Sequence, residues 1–313
     1  METDPDEVPF IDKTIKTGCH WQTVQKSRNV FALHVPWDYG QSWEQWFLLC
    51  SDRHWDNPHS DREMQARHLK EAVKRNAGII DVGDFFCFMQ GNYDPRKQKN
   101  DIRPEHNVDD YIDTVIEDAA EWFAPYAKHF VFVGMGNHEK HILKRLETNP
   151  TERLCQALHM KTGYKVFNGQ YGGWVKFLFK RVSKSSSSVM RSASINLKYH
   201  HGYGGGGPVT KGVIQTNRRA SFIDADIHVS GHIHEQWQLR TIRESLSERC
   251  ELLKKDVYHV CLGTYKQDYA DGADSWEANR GQPPKPKGAW WLRFYTKKER
   301  DKDRIAYQFI LAD

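Results

Sequence analysis

Five short polar segments carry the residue types that bind divalent metal ions. They are Asp52-Arg53-His54, Gly83-Asp84, Gly136-Asn137-His138-Glu139, His200-His201-Gly202 and Gly231-His232-Ile233-His234. Together they supply carboxylate and amide oxygens and imidazole nitrogens, the mixture that hard-to-borderline divalent ions favour. Glycine stands in four of the five segments, where it permits sharp turns and close approach of the backbone. The residue types therefore indicate metal-ion chemistry.

Each polar segment directly follows a predicted strand. Apolar runs indicate these strands at 44–51, 78–81, 130–134, 192–200 and 226–230. Helices predicted at about 60–75, 108–127 and 149–163 separate or follow the first three strands, an order typical of an α/β sheet layered with helices. Such sheets place their sites at the carboxyl ends of the strands. We therefore expect the five segments to meet at one edge.

Local spacing predicts details of two segments and two helices. Residues i and i+2 of an extended chain point the same way, so Asp52 and His54 can hold one ion, as can His232 and His234 where the chain stays extended. Ser60 is expected to cap the first helix, since Glu63 follows at the spacing of a capping box. Asn149 is expected to cap a later helix, with Pro150 in its first turn.

The chain after residue 163 is predicted to be mostly strands. Runs at 174–182 and 192–200 flank a Ser-rich turn at 183–188 and indicate a hairpin. Further strands are expected near 236–243, 256–265, 289–296 and 304–312. We expect a single domain over 1–313, with a motif-bearing core at about 44–236. The strands within 237–313 are expected to complete its second sheet.

Composition excludes several classes of protein. The 313 residues include 11 Trp, 13 Tyr and 15 Phe, which argues against disorder. The apolar runs are shorter than the roughly 20 residues of a membrane helix. The six cysteines form no Cys-x-x-Cys pair, and the acidic amino-terminal segment does not resemble a secretory signal. We therefore expect a cytoplasmic protein without a membrane partner.

Charge is unevenly distributed along the chain. The formal net charge is +4, yet residues 153–223 hold seven Lys, five Arg and no acidic residue. A positive field near the fourth and fifth segments would attract phosphate-bearing molecules. Lys211, Arg218 and Arg219, between these segments, are the candidates for phosphate contacts. The alternative is that these residues form only a solvated face.

The ordered set D-x-H, G-D, G-N-H-E, H-G and G-H-x-H resembles the calcineurin-like metallophosphoesterase superfamily, over about residues 46–236. The resemblance implies an α/β sandwich of two mixed β-sheets flanked by helices. It implies one metal ion held by Asp52, His54, Asp84 and His234. A second ion would be held by Asp84, Asn137, His201 and His232, so that Asp84 bridges the pair.

Three further expectations come from this resemblance. His201 is preferred to His200 as a ligand because Gly202 follows it, as is usual in the family. His138 would be a catalytic histidine that binds no metal, and Glu139 would orient its imidazole. The family often has another polar residue a few positions after Gly-Asp, whereas here Gly83-Asp84 is followed by Phe85-Phe86-Cys87-Phe88. The substrate class is therefore not carried over.

The resemblance implies a phosphatase or phosphodiesterase with two divalent metal ions per chain and a hydroxide held between them. Manganese is the first expectation for these ions, with iron, zinc, nickel or magnesium as alternatives. The expected partner is a phosphoester substrate. Two alternatives stay open: a nuclease of the same superfamily acting on DNA or RNA, which the basic segment and the aromatic residues favour, and a catalytically silent binding protein on this fold.

Overall fold

The computed structural model describes residues 19–38, 42–89, 101–182, 189–205, 207, 209–267, 269, 281, 283–299 and 302–312. The turn predicted at 183–188 lies outside these residues. The strands are β1 (Gln22–Ser27), β2 (Val30–Pro36), β3 (Glu44–Cys50), β4 (Gly78–Asp81), β5 (Phe130–Val133), β6 (Gly172–Val182), β7 (Val189–His200), β8 (Ile227–Ser230), β9 (Trp237–Leu246), β10 (Leu252–Cys261), β11 (Ala289–Glu299) and β12 (Lys302–Ala312). The α-helices are α1 (Arg62–Lys74), α2 (Tyr111–Phe123), α3 (Asn137–Leu146), α4 (Pro150–Thr162) and α5 (Val213–Ala220).

The strands form two mixed sheets, one with the order β1-β2-β6-β7-β8-β10-β9 and the other with the order β12-β11-β3-β4-β5. Strands β3, β4 and β5 run parallel, as do β7, β8 and β10, so each sheet presents a set of carboxyl ends at one edge. The α/β sandwich of two mixed sheets flanked by helices, expected from the sequence, is confirmed.

Two apolar clusters hold these layers together. Between the sheets, Phe47 of β3 packs edge-on against Phe177 of β6, with ring centroids 5.0 Å apart. On the other face of the five-stranded sheet, residues of α1, α2 and α4 bury side chains such as Leu69, Val115 and Leu158. Alternation along β6, β7 and β8 sends every second side chain into the first cluster and leaves the others on the opposite, outer face.

Several local predictions differ from the structure. Asp61, and not Ser60, caps α1: its side chain accepts a hydrogen bond from the Met64 amide, whereas the Ser60 hydroxyl donates to the Arg53 carbonyl. The Asn149 cap of α4 is confirmed, because its side chain accepts from the Glu152 amide. Strands β1 and β2 were not predicted, although residues 30–35 of β2 form a mostly apolar run of strand length.

The expectation that all strands after residue 237 join one sheet is wrong. Strands β9 and β10 extend the seven-stranded sheet, whereas β11 and β12 extend the five-stranded one. Hydrophobic patterns indicate that a strand has a buried face but not which sheet buries it, so this division was not visible in the sequence.

Among the described residues, no helix is long and apolar enough to span a membrane.

The buried histidines His228 and His259 predict a pH dependence of stability. Their rings lie on the paired strands β8 and β10 and stack at 4.6 Å. Burial, reinforced by the other ring and by Arg219, lowers the pKa of His228 to about 3; burial and Arg219 lower that of His259 to about 4. The folded protein therefore favours neutral rings. Their stabilising contribution is complete above the ordinary pKa of about 6.5 and is lost as pH falls toward these values.

We expect the free energy of unfolding, measured in urea, to fall less between pH 7.5 and pH 5.0 in His259→Gln than in the unchanged protein. The exposed His159 provides a matched control, and His159→Gln should keep the original pH dependence. Equal pH dependence in His259→Gln and the unchanged protein would contradict the stacked, neutral pair.

Candidate metal centre

The edges of the two sheets meet where the five polar segments lie. The His232 amide donates to Asp52 Oδ2 at 2.9 Å, which links the fifth segment to the first. His201 follows β7 and its Nδ1 lies 3.2 Å from the Val82 carbonyl oxygen, beside the second segment. The five segments therefore converge at one edge, as expected, and they come from both sheets.

Asp52, His54 and His234 form a first group of candidate metal ligands, with one donor atom of each residue within 4.8 Å of the others. His234 Nε2 lies 3.2 Å from Asp52 Oδ1 and 3.2 Å from His54 Nε2. Asp52 is fully buried, and its Oδ1 accepts no well-aligned hydrogen bond. Two imidazole nitrogens and a carboxylate oxygen facing one another fit a shared cation.

Asp84, His201 and His232 form a second group of the same kind. His201 Nε2 lies 3.1 Å from Asp84 Oδ2 and 3.1 Å from Asn137 Oδ1. The second group thus gathers a carboxylate, an amide oxygen and two imidazoles, a donor set that also fits a divalent ion. Every residue that the resemblance assigned to metal binding lies in or beside one of the two groups.

Burial and neighbouring charges together shift the pKa values of several candidate ligands. Burial favours neutral Asp84, but His201 and His138 outweigh it and hold the pKa of Asp84 well below its usual value. Burial likewise opposes protonation of His201, yet Asp84 and Asp52 raise the pKa of His201 to about 9. Burial, His138 and His234 lower the pKa of His54 well below its usual value. The carboxylates of Asp52 and Asp84 are therefore ionised and available to a cation.

The backbone of the ligands is unusual. Asp52, His54, Asp84, His232 and His234 all have positive φ, between 46° and 75°. The left-handed conformation costs an L-residue about 1–2 kcal/mol. The premise that Asp52 and His54 lie on an extended chain is therefore wrong, and the condition of an extended chain set for His232 and His234 is not met. These side chains converge because the chain turns after β3 and β8, and such strain is characteristic of functional sites.

Glycines provide the close approach that the site requires at two points. A Cβ on Gly136 would lie 2.0 Å from Asp84 Oδ1, and one on Gly231 would lie 2.1 Å from Ser51 Oγ. Gly136 immediately precedes α3, and Asp84 Oδ1 accepts from the amide of His138 in the first turn of that helix. The carboxylate of Asp84 is therefore also stabilised by a helix amino terminus.

His138 lies beside both groups, but Glu139 does not orient its imidazole as expected. His138 Nδ1 is 2.7 Å from the Cys87 carbonyl oxygen, and its Nε2 is 3.8 Å from Asp84 Oδ2. The Glu139 carboxylate instead accepts from the amides of Phe86 and Gly136, at 2.8 and 2.7 Å. Glu139 therefore joins the second and third segments through their backbones, a role that its place beside a histidine did not reveal.

The adjacent histidines of the fourth segment have separate surroundings. His201 is fully buried within the second group. His200 ends β7 with its side chain on the outer face of the seven-stranded sheet, where it lines a cavity with Arg219. The structure thus places His201, the preferred candidate, among the ligands.

The three cations proposed as phosphate contacts have different surroundings, although Arg218 and Arg219 are adjacent on α5. Lys211 Nζ is 3.8 Å from Glu235, next to the fifth segment. Arg218 is exposed on α5, and Arg219 lines the outer-face cavity. In the part of the chain that the structure describes, none of the three contacts a candidate ligand, and their substrate-binding role stays a prediction.

Sequence reasoning missed two residues that shape the site. Asp56 accepts from the Cys87 and Phe88 amides and from the Tyr111 hydroxyl, so it fixes the segment after Asp84. Cys87 Sγ groups with ring nitrogens of His54 and His138. Burial and Asp56 raise the pKa of Cys87 well above its usual value, which keeps it a thiol. The only sequence signal was the closeness of Asp56 to the first segment.

Comparison with known proteins gives weak structural likenesses. No family model and no curated protein sequence matches the chain. Vacuolar protein sorting 29 from Cryptosporidium parvum is 13% identical, with a TM-score of 0.32, and the match covers 86% of this chain and 98% of that one. GAP50, the anchor in the inner membrane complex of Plasmodium, is 10% identical at a TM-score of 0.37, covering 86% and 85%. A Thermotoga maritima protein is 12% identical at 0.27, covering 85% and 99%. These values carry no argument about activity.

A buried ion pair beneath the first two segments predicts a large loss of stability on substitution. Arg53 Nε lies 2.6 Å from Asp81 Oδ2, and both side chains are fully buried. Arg53→Met leaves a buried carboxylate without its partner, which should reduce the free energy of unfolding by about 3–5 kcal/mol. The exposed Arg67 on α1 is the matched control, and Arg67→Met should change stability by no more than about 0.5 kcal/mol. Equal urea midpoints for the two variants would contradict this prediction.

Proposed function

We propose that this chain is a divalent-metal-dependent phosphoester hydrolase with a dinuclear centre. The observation that carries the proposal is the convergence of two carboxylate–imidazole groups from segments distant in sequence. Asp52, His54 and His234 would hold one ion, and Asn137, His201 and His232 would hold the other, with Asp84 shared between them. When bound, such a pair of ions supplies Lewis-acid activation of water and of phosphate oxygens.

The surrounding residues suit phosphoester cleavage. The Cys87 carbonyl accepts from His138 Nδ1, so that nitrogen carries the proton and Nε2 faces the candidate ligands. As an imidazolium, with a second proton on Nε2, His138 would have the position of a general acid that protonates a leaving oxygen or stabilises its charge. The buried carboxylates of Asp52 and Asp84 keep their orientation because the backbone amides of His232 and His138 donate to them.

Manganese is the proposed native ion, and a phosphodiester or phosphomonoester is the proposed substrate. Among the described residues, the six cysteines form no disulfide, which accords with a reducing, cytoplasmic setting. The nuclease alternative shares this chemistry, with a polynucleotide as substrate. The silent binding protein is the outcome expected if the candidate ligands bind metal but no phosphoester is cleaved.

Metal content tests the shared carboxylate. We expect the purified protein, equilibrated with Mn²⁺ and desalted, to retain two ions per chain by elemental analysis. Asp84→Asn should retain fewer than one, because a neutral amide replaces the carboxylate that we propose to be shared by both ions. Asp109→Asn, at an exposed aspartate, is the matched control and should retain two. Two ions per chain in Asp84→Asn would overturn the role of Asp84.

Hydrolysis of bis-(4-nitrophenyl) phosphate and 4-nitrophenyl phosphate tests the activity and the role of His138. We expect His138→Ala to keep both manganese ions and to lose about 10²–10⁴-fold in kcat, the range of general acid catalysis. His159→Ala, at an exposed histidine of α4, should keep full turnover. Undiminished activity of His138→Ala would exclude its catalytic role. Metal binding without hydrolysis of either ester by the unchanged protein would favour the silent binding protein.

A further inference from the structure

A cavity lies on the outer face of the seven-stranded sheet, away from the side chains of the candidate metal centre. It has a volume of about 330 Å³, and its walls include Trp174, Lys198, His200, Arg219, His228 and His259. We call it the outer cavity. Its strand residues alternate with Val175, Leu197, Tyr199 and Ile227, which face the core between the sheets. The outer cavity therefore opens on the side opposite that core, beneath α5.

The outer cavity is positively charged without a balancing acid. Arg219 reaches only the hydroxyls of Thr216 and Ser230, at 3.4 and 3.3 Å, and Lys198 Nζ lies 5.0 Å from the centre of the Trp174 ring. No carboxylate pairs with either cation within the described ranges, and none lines the cavity. A guanidinium in this position matches the geometry of a phosphate group, to which it can donate two hydrogen bonds.

Aromatic side chains form much of the remaining wall, beside the aliphatic Ile223, Val229 and Val260. The stacked rings of His228 and His259, with an interplanar angle of 21°, and the Trp174 indole contribute planar surfaces. Tyr203 and Phe222 stand at the rim, with 49% and 74% of their surfaces exposed. Aromatic side chains arranged in this way stack on nucleic-acid bases, each contact being worth about 1–3 kcal/mol.

The histidine pair adds unused hydrogen-bonding capacity. His228 is 8% exposed and His259 is 1% exposed. Despite this burial, His228 Nε2 and His259 Nδ1 have no hydrogen-bond partner. Buried polar atoms are normally paired, and an exception calls for a partner.

We propose that the outer cavity binds a nucleotide unit, that is, a heterocyclic base joined to a phosphate. Arg219 and Lys198 would hold the phosphate, and Trp174 and the histidine pair would hold the base. A volume near 330 Å³ lies at the low end of the roughly 300–1,000 Å³ typical of small-molecule sites, so one unit fills it. The unit is either a free mononucleotide or one residue of a single-stranded polynucleotide.

The outer cavity is joined to the candidate metal centre through two strands. His200 and Ser230 border the cavity, and the next residues along each strand lead directly into His201 and Gly231-His232. The Tyr171 ring lies 5.2 Å from the ring of His200 and 5.4 Å from that of His201, so it contacts both sites. A bound nucleotide is thus placed to influence the ligand-bearing ends of β7 and β8.

Calorimetric titration of the full chain with adenosine 5′-monophosphate, in the presence of EDTA, tests this proposal independently of metal and of hydrolysis. We expect saturable binding of one equivalent, with adenosine and inorganic phosphate each binding at least about tenfold more weakly. Arg219→Gln should weaken binding about tenfold or more, because a charged hydrogen bond is lost. Arg67→Gln, at an exposed arginine of α1, is the matched control and should bind the nucleotide with unchanged affinity.

Two further measurements complete the test. Lys198→Gln should also weaken binding, and it carries the test if Arg219→Gln unfolds. A single-stranded oligonucleotide that binds more tightly than the mononucleotide, and is weakened by the same variants, identifies a polynucleotide as the source; equal affinities identify a free nucleotide. The proposal is overturned if the mononucleotide fails to bind, if phosphate alone binds as tightly, or if all the variants bind equally.

Discussion

The buried ion pair between Arg53 and Asp81 is the interaction on which the candidate metal centre depends. Arg53 lies between two candidate ligands, Asp52 and His54, yet its side chain points away from them to Asp81 at the end of β4. Asp81 Oδ1 also accepts from the Gly83 amide, one residue before Asp84. The pair therefore fixes the first segment to the second. Because both side chains are fully buried, water screens their attraction little, although burial also deprives both charges of hydration.

Neutral and charged hydrogen bonds extend this connection to the other segments. Glu139 joins the turn before α3 to the chain after Asp84, and Asp56 holds that same chain from the side of β3. These hydrogen bonds oppose the backbone strain of the five candidate ligands that have a left-handed conformation. Without them, each turn would relax toward an unstrained conformation and the donor atoms would separate. The site is thus preorganised by residues that bind no metal themselves.

The sequence allowed prediction of the parts that rest on local pattern. The strands that precede the five segments, the helices between them and the cap at Asn149 follow from apolar periodicity and turn chemistry. The division of the last strands between two sheets and the role of Glu139 did not follow, because each depends on contacts between residues distant in sequence. The cap at Asp61 is a local contact with Met64, but the adjacent Ser60 offered similar capping chemistry. The convergence of Asp52 with His54 was expected, but for the wrong backbone conformation.

At the ends of β7 and β8, the alternation of side chains along a strand assigns neighbouring residues to two different sites. Because successive residues of a strand face opposite sides, His200 borders the outer cavity while His201 joins the candidate ligands. Ser230 also borders the outer cavity, and the turn after β8, where His232 has a left-handed backbone, brings His232 to the candidate ligands. A shift of one residue in the pairing of β7 with β8 would exchange these neighbours and empty both sites. The register of two strands, set by the apolar residues between the sheets, therefore determines which histidine can meet a metal and which can meet an outer ligand.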